Sequence, residues 1–215
     1  PESLVREINR RNIMAATATP YGLRAVNHLG GTPYAGSTRM YPIASATAIN
    51  IYYGSVVNVL GTGFLTANLT VGTAAAPFVA GTVGVFVGCT FTDPGTGNVT
   101  FRQNWPTGTV TADAQAYVID DPDVVYMAQA DAAVTQAGLG ENTHFPAAPN
   151  ATTSGNTTNG NSTMAVDATT ASTATFAFRV VDFVDSPTST VGDAFTDLLL
   201  KFNAGVHSYN NSLGV

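Results

Sequence analysis

Residues 116–131 constrain the fold of this chain more than any other stretch. Two strand-like runs, Ala116-Tyr117-Val118-Ile119 and Val124-Val125-Tyr126-Met127-Ala128-Gln129-Ala130, flank the acidic sequence Asp120-Asp121-Pro122-Asp123. β-Branched and aromatic residues suit a pleated, half-buried surface. Pro122 lacks the N–H that a ladder needs, and aspartate side chains compete for nearby backbone donors, so the acidic segment reads as a turn. The same punctuation recurs along the chain and places strands near 49–53, 55–60, 64–70, 83–93, 98–104, 115–120, 124–130, 161–167, 174–184 and 196–203. Asp93-Pro94-Gly95-Thr96-Gly97-Asn98 supplies proline and glycine where a hairpin turn needs them. Between Ala174 and Val184 the large apolar residues alternate as Phe176, Phe178, Val180 and, after Val181, Phe183. No repeat occurs at fixed spacing, which argues against a solenoid or propeller.

The expected fold is therefore all-β: a barrel or sandwich, jelly-roll-like, of short antiparallel strands with an extended N-terminal arm. Residues 1–45 read as a short N-terminal helix and the arm, with at most one short strand between 21 and 45, and residues 46–215 as the β-domain. Leu4, Val5 and Ile8 share one face of the helix over 1–13. A long loop is expected at 131–160, starting with a short helical stretch at 131–137 and ending in an Asn/Thr/Gly tract that packs on the domain or on a neighbour.

Charged residues make up only 10% of the 215 residues, against roughly 25% in ordinary globular chains. A surface so poor in charge suits a protein covered by neighbours in an assembly. Lys201 is the one lysine, and no arginine or lysine occurs between Gln103 and Phe178, so a phosphate-neutralising face is missing and direct nucleic-acid binding is not expected. Arg6, Arg10 and Arg11 give the first residues a positive bias on a chain of net charge -6. That bias favours contact between the N-terminal segment and an acidic neighbour. No apolar run approaches the twenty or so residues of a membrane-spanning helix, and no signal-peptide core is visible.

Catalytic and metal chemistry find little support. Cys89 is the only cysteine and lies in an apolar run, as a small buried hydrophobe would. Asp120, Asp121 and Asp123 offer hard oxygen ligands but lack the glycine and terminal glutamate of an EF-hand loop. Glu141 and His144 lie three apart, with His28 and His207 distant in sequence. The glycine pairs at Gly61-Thr62-Gly63 and Gly95-Thr96-Gly97 lack the third glycine and the following helix of a dinucleotide loop. No Gly-x-Ser-x-Gly elbow occurs. The expectation is no enzyme, no cofactor and no metal.

The acidic turn, taken with Thr19-Pro20-Tyr21-Gly22-Leu23-Arg24-Ala25-Val26, Tyr41-Pro42-Ile43-Ala44, Gly84-Val85-Phe86-Val87-Gly88-Cys89-Thr90-Phe91-Thr92-Asp93 and Trp105-Pro106, resembles tailed-bacteriophage capsid decoration, or cement, proteins. The resemblance runs from about Thr17 to a last strand near Leu200-Lys201-Phe202-Asn203. Related chains start near a Met-Ala-x-x-Thr sequence, matched here by Met14-Ala15-Ala16-Thr17, so residues 1–13 read as an extension or Met14 as a second start. The resemblance implies a virion protein, held as a homotrimer on the outer capsid surface against the major capsid protein, that stabilises the filled head. Three contact sets are expected: Leu4, Val5, Arg6, Ile8, Arg10 and Arg11 on the shell or a neighbouring copy; Tyr21, Leu23 and Arg24 as the anchor of the arm; Asp120, Asp121 and Asp123 against basic groups. The alternatives are a minor protein of the tail, fibre or vertex, and a bacterial adhesin or pilus-like subunit.

Overall fold

The computed structural model describes residues 17–148, 154–212 and 214–215. Among them eleven strands form two antiparallel sheets: β1 (Arg24–His28), β2 (Arg39–Pro42), β3 (Val56–Val59), β4 (Leu65–Ala67), β5 (Thr82–Thr92), β6 (Val99–Arg102), β7 (Gln115–Ile119), β8 (Val124–Gln129), β9 (Asn142–Thr143), β10 (Phe178–Phe183) and β11 (Asp197–Phe202). The five-stranded sheet has the order β1-β8-β11-β10-β9, and the six-stranded sheet the order β2-β7-β5-β3-β4 with β6 on β5. Neither sheet closes on itself, so of the two expected arrangements the molecule takes the sandwich.

The core between the sheets draws on both. Val56, Val85 and Ile119 from one meet Tyr126, Phe178, Val180, Leu198, Leu200 and Phe202 from the other. A second cluster covers the opposite face of the six-stranded sheet, where Val57, Val83, Phe86, Cys89, Phe91, Ala116 and Val118 pack under Ile43, Ile51 and Trp105 from connecting segments. The middle of β5 is thus buried on both faces, which accounts for its nearly unbroken apolar text.

Two bulges in β5 arrange this double burial. The register slips between Val57 and Asn58 of β3 opposite Gly84, and again between Phe86 and Gly88 against β7. Each extra residue reverses the alternation of side chains. Val83, Phe86, Cys89 and Phe91 consequently reach the outer cluster while Val85 stays in the central one.

Eight of the ten expected strands are present with ends shifted by a few residues. Residues 49–53 and 161–167 form only isolated bridges, Ile51 to Trp105, Tyr53 to Asn161, Gly155 to Ser162 and Ala130 to Val166. Each of these segments touches a different neighbour every few residues, so no ladder propagates. The helical stretch expected at 131–137 is replaced by a single 3-10 turn, Gln136–Gly138. Segment 21–45, expected to hold at most one strand, supplies two, β1 on the edge of β8 and β2 on the edge of β7. Part of the expected long loop is likewise drawn in, since β9 pairs with β10 and Phe145 enters the core. The hairpin turn forms as read: Asp93 N–H donates to Asn98 O and Gly97 N–H to Asp93 O.

A candidate interaction surface

The acidic turn is a corner between the sheets rather than a hairpin. β7 belongs to the six-stranded sheet and β8 to the five-stranded one, and residues 120–123 carry the chain across. Asp123 N–H donates to Asp121 Oδ1 at 2.8 Å, the local side-chain bond that makes aspartate a turn residue. Each carboxylate also meets a cation or imidazole of its own chain. Arg39 Nε lies 2.7 Å from Asp120 Oδ2, His28 Nδ1 3.5 Å from Asp121 Oδ2 and Lys201 Nζ 3.8 Å from Asp123 Oδ1. Asp120 is largely enclosed, at 14% side-chain exposure, whereas Asp123 keeps 67%. Of the three, Asp123 is the group most accessible to a partner.

Asp120 is also the hub of a clasp that holds the C-terminal segment. Tyr41 and Tyr209 hydroxyls donate to its Oδ2 at 3.1 and 3.2 Å, their oxygens lie 2.6 Å apart, and the Arg39 guanidinium stands over the Tyr209 ring. Burial, the Tyr209 hydrogen bond and the Asp120 charge together push the Tyr41 hydroxyl well above its ordinary value. Tyr209 is aimed by His207, whose Nδ1 accepts from Tyr209 N–H at 3.2 Å. His207 is fully buried, and desolvation lowers its pKa, with the Val83 backbone and the Asp120 and Asp121 charges pulling weakly the other way.

A histidine held neutral by folding makes stability fall on acidification. The unfolded chain binds a proton near 6.5 and the folded one only below that, so the contribution is whole above 6.5 and shrinks as pH drops from there towards the lowered folded value. The urea midpoint is expected to fall between pH 7 and pH 5.5, and His207→Phe to flatten that part of the profile.

Tyr21, Leu23 and Arg24 fasten the arm to its own domain. Leu23 is buried in the central core, and the Tyr21 hydroxyl donates to Asp197 Oδ1 at 2.9 Å. The Arg24 guanidinium lies over the Tyr21 and Tyr53 rings, 5.1 and 5.8 Å from their centroids. Upstream, the Gln129 side chain grips the backbone at both Thr17 O and Thr19 N–H. Leu4, Val5, Arg6, Ile8, Arg10 and Arg11 lie outside the described residues.

The remaining candidate groups stay apart. Among the described residues no three histidine, cysteine, aspartate or glutamate side chains come together as metal ligands. His144 Nδ1 is 2.7 Å from Phe145 O, and its ring packs edge-on against Phe176. Cys89 is buried, and desolvation pushes its thiol up to about 12, which leaves almost no thiolate at neutral pH.

Sequence reading missed an open apolar face. The face of the six-stranded sheet that carries Val85 and Ile119 into the core continues beyond the cover of the other sheet. There the register sets Phe101 of β6 opposite Thr90, Thr90 opposite Gln115, and Tyr117 opposite both Gly88 and Met40. The Phe101 ring lies over Gly88, where a Cβ would come within 2.6 Å of it, and 6.1 Å from the Tyr117 ring. Met40 is 59% exposed, Phe101 59% and Val99 76%. Thr90, Gln115 and Tyr117 complete the face, and the Asp113 carboxylate borders it, accepting from the Thr92 hydroxyl at 2.5 Å. The alternation within β6 signals a two-faced strand, but only the register against β5 reveals which face is left open.

No protein-family model matches this chain, and searches of the curated proteins and of the solved structures give no significant match.

Proposed function

We propose that this chain is a virion structural protein of the capsid decoration class, which binds the outer surface of an assembled phage head as a homotrimer and stabilises it. One observation carries this reading: the exposed apolar side chains of Met40, Val99 and Phe101 beside Tyr117, left open where the sandwich core runs out and bordered by the Asp113 carboxylate. Contiguous apolar surface of this kind marks an interaction site. The low overall charge and the resemblance of 17–203 to decoration proteins support the same reading. The major capsid protein is the partner, and the open face supplies the contact. A stable attachment needs on the order of 1,000 Å² of buried surface, which several copies held at once reach more easily than one.

Quantitative mass spectrometry of purified virions tests this. About one copy per major capsid subunit supports a cement protein, a ratio of a few per cent moves the chain to the tail or a vertex, and absence from virions removes the reading altogether. The contact itself is tested with Met40→Glu combined with Val99→Glu. Both side chains are exposed, so the unfolding midpoint is expected to stay unchanged while affinity for undecorated shells drops roughly tenfold or more. Undiminished binding would move the contact to another face.

A further inference from the structure

The outer face of the five-stranded sheet carries an open groove of about 530 Å³, with Leu29, Arg179, Val181, Lys201, Asn203 and Asn210 among its walls. Small-molecule sites span roughly 300–1,000 Å³. The groove lies on a different sheet from the open apolar face, so occupancy and shell attachment are separable.

Its charge arrangement is unusual for this chain. Residues 17–215 hold five basic side chains, Arg24, Arg39, Arg102, Arg179 and Lys201, and two of them sit in this one groove. Arg179 of β10 and Lys201 of β11 are direct register partners. Like charges placed opposite each other across a ladder cost stability. Asp123 relieves the pair only in part, from 3.8 Å and with a largely exposed carboxylate. Arg179 makes one bond among the described residues, from Nε to the neutral Asn142 Oδ1 at 3.1 Å, which leaves both Nη groups open. Asp182, the nearest acid on β10, is exposed and accepts from Phe183 N–H, and Asp121 lies with His28. A guanidinium with two open N–H arms beside an ammonium fits a planar carboxylate.

The surroundings favour a compact polar ligand over an extended peptide. β8, β10 and β11 have their backbone groups engaged in ladders, and the free edges of the sheet lie at β1 and β9. A peptide strand laid in the groove would gain no main-chain pairing. A sugar ring can set its C–H face on Leu29 and Val181 and reach the exposed Asn210 amide with a hydroxyl. We propose that this groove binds a carboxylate-bearing saccharide, with Arg179 gripping the carboxylate and Lys201 assisting.

The test is titration of the purified chain with D-glucuronate, with D-glucose as the neutral match and inorganic phosphate as the bare anion, followed by NMR or calorimetry. Saturable glucuronate binding is expected, with no saturation by glucose and with phosphate weaker by about tenfold because it has no ring to pack on Leu29 and Val181. Arg179→Gln and Lys201→Gln should each weaken glucuronate by about tenfold. Asp123→Asn should tighten it, because Lys201 is released. Without ligand, the unfolding midpoint of Arg179→Gln should stay near that of the parent chain, since the lost bond to Asn142 Oδ1 is offset by removal of a like charge opposite Lys201, and this separates lost binding from lost folding. The proposal is overturned if glucuronate shows no saturable binding up to about 20 mM, if phosphate binds as tightly, or if both glutamine variants leave affinity unchanged.

Discussion

Gly84→Ala is expected to lower folding stability by more than about 3 kcal/mol, or to prevent accumulation of soluble protein. Gly84 has φ +143°, a conformation that side-chain-bearing residues rarely adopt, and an added Cβ would fall 1.9 Å from Ile119 O. That oxygen is backbone in the neighbouring strand β7, so no rotamer change relieves the clash. Either β5 or β7 must move. Movement of β7 displaces the corner at 120–123 and the Asp120 clasp, and movement of β5 undoes the bulge that sends Val83 and Val85 to different cores. The check is a urea titration with thermal melting. A midpoint equal to that of the parent chain would mean that the bulge at Gly84 is wrongly placed.

Phe178→Ala should cost about 3–5 kcal/mol, because it removes a fully buried ring from the centre of the sandwich. Phe178 meets Phe78 edge-on at 5.6 Å, Phe145 edge-on at 5.2 Å and Phe202 at a tilt at 5.4 Å between centroids. Its strand neighbours on both sides are fixed by register, Thr143 on β9 and Phe202 on β11, so the cavity cannot collapse without shifting a ladder. Phe145 comes from outside the regular strands, and its loss of contact is expected to loosen the segment after β9. Denaturant unfolding should show a lower midpoint at an unchanged slope. A loss below about 1 kcal/mol would contradict full burial of the ring.

These two positions differ in how visible they are before the structure is known. Phe178 stands in the alternating run 174–184, whose apolar period already assigns it to a core face. Gly84 lies in a run that reads as a plain buried strand, and nothing in its text distinguishes it from Gly81 nearby. The acidic turn was legible as a turn, yet its role as a corner between sheets depends on which distant strands β7 and β8 pair with. β1 and β2 were hidden for the same reason. Short edge strands such as Arg39-Met40-Tyr41-Pro42 have little intrinsic signal and become strands because β7 presents an open edge.

The carboxylates Asp120, Asp121 and Asp123 illustrate the same limit for the site. Their clustering is evident from sequence, but Arg39, His28 and Lys201 come to them from three separate strands or strand ends. The open face at Met40, Phe101 and Tyr117 likewise draws one residue from each of three strands. The pairing of Arg179 with Lys201 needs a register between β10 and β11 that no local pattern encodes.

The amino-acid sequence by itself determined the all-β class, most strand positions, the hairpin at 93–98, the turn at 120–123 and the low content of charged residues. These follow from local propensity, turn chemistry and composition, which act over a few residues. Tertiary structure alone decided the two-sheet partition, the bulges at Gly84 and Gly88, the clasp on Asp120 and the face and groove left open. Those depend on contacts between residues up to 176 positions apart, as between Tyr21 and Asp197, and such contacts are selected by the packing of the whole chain.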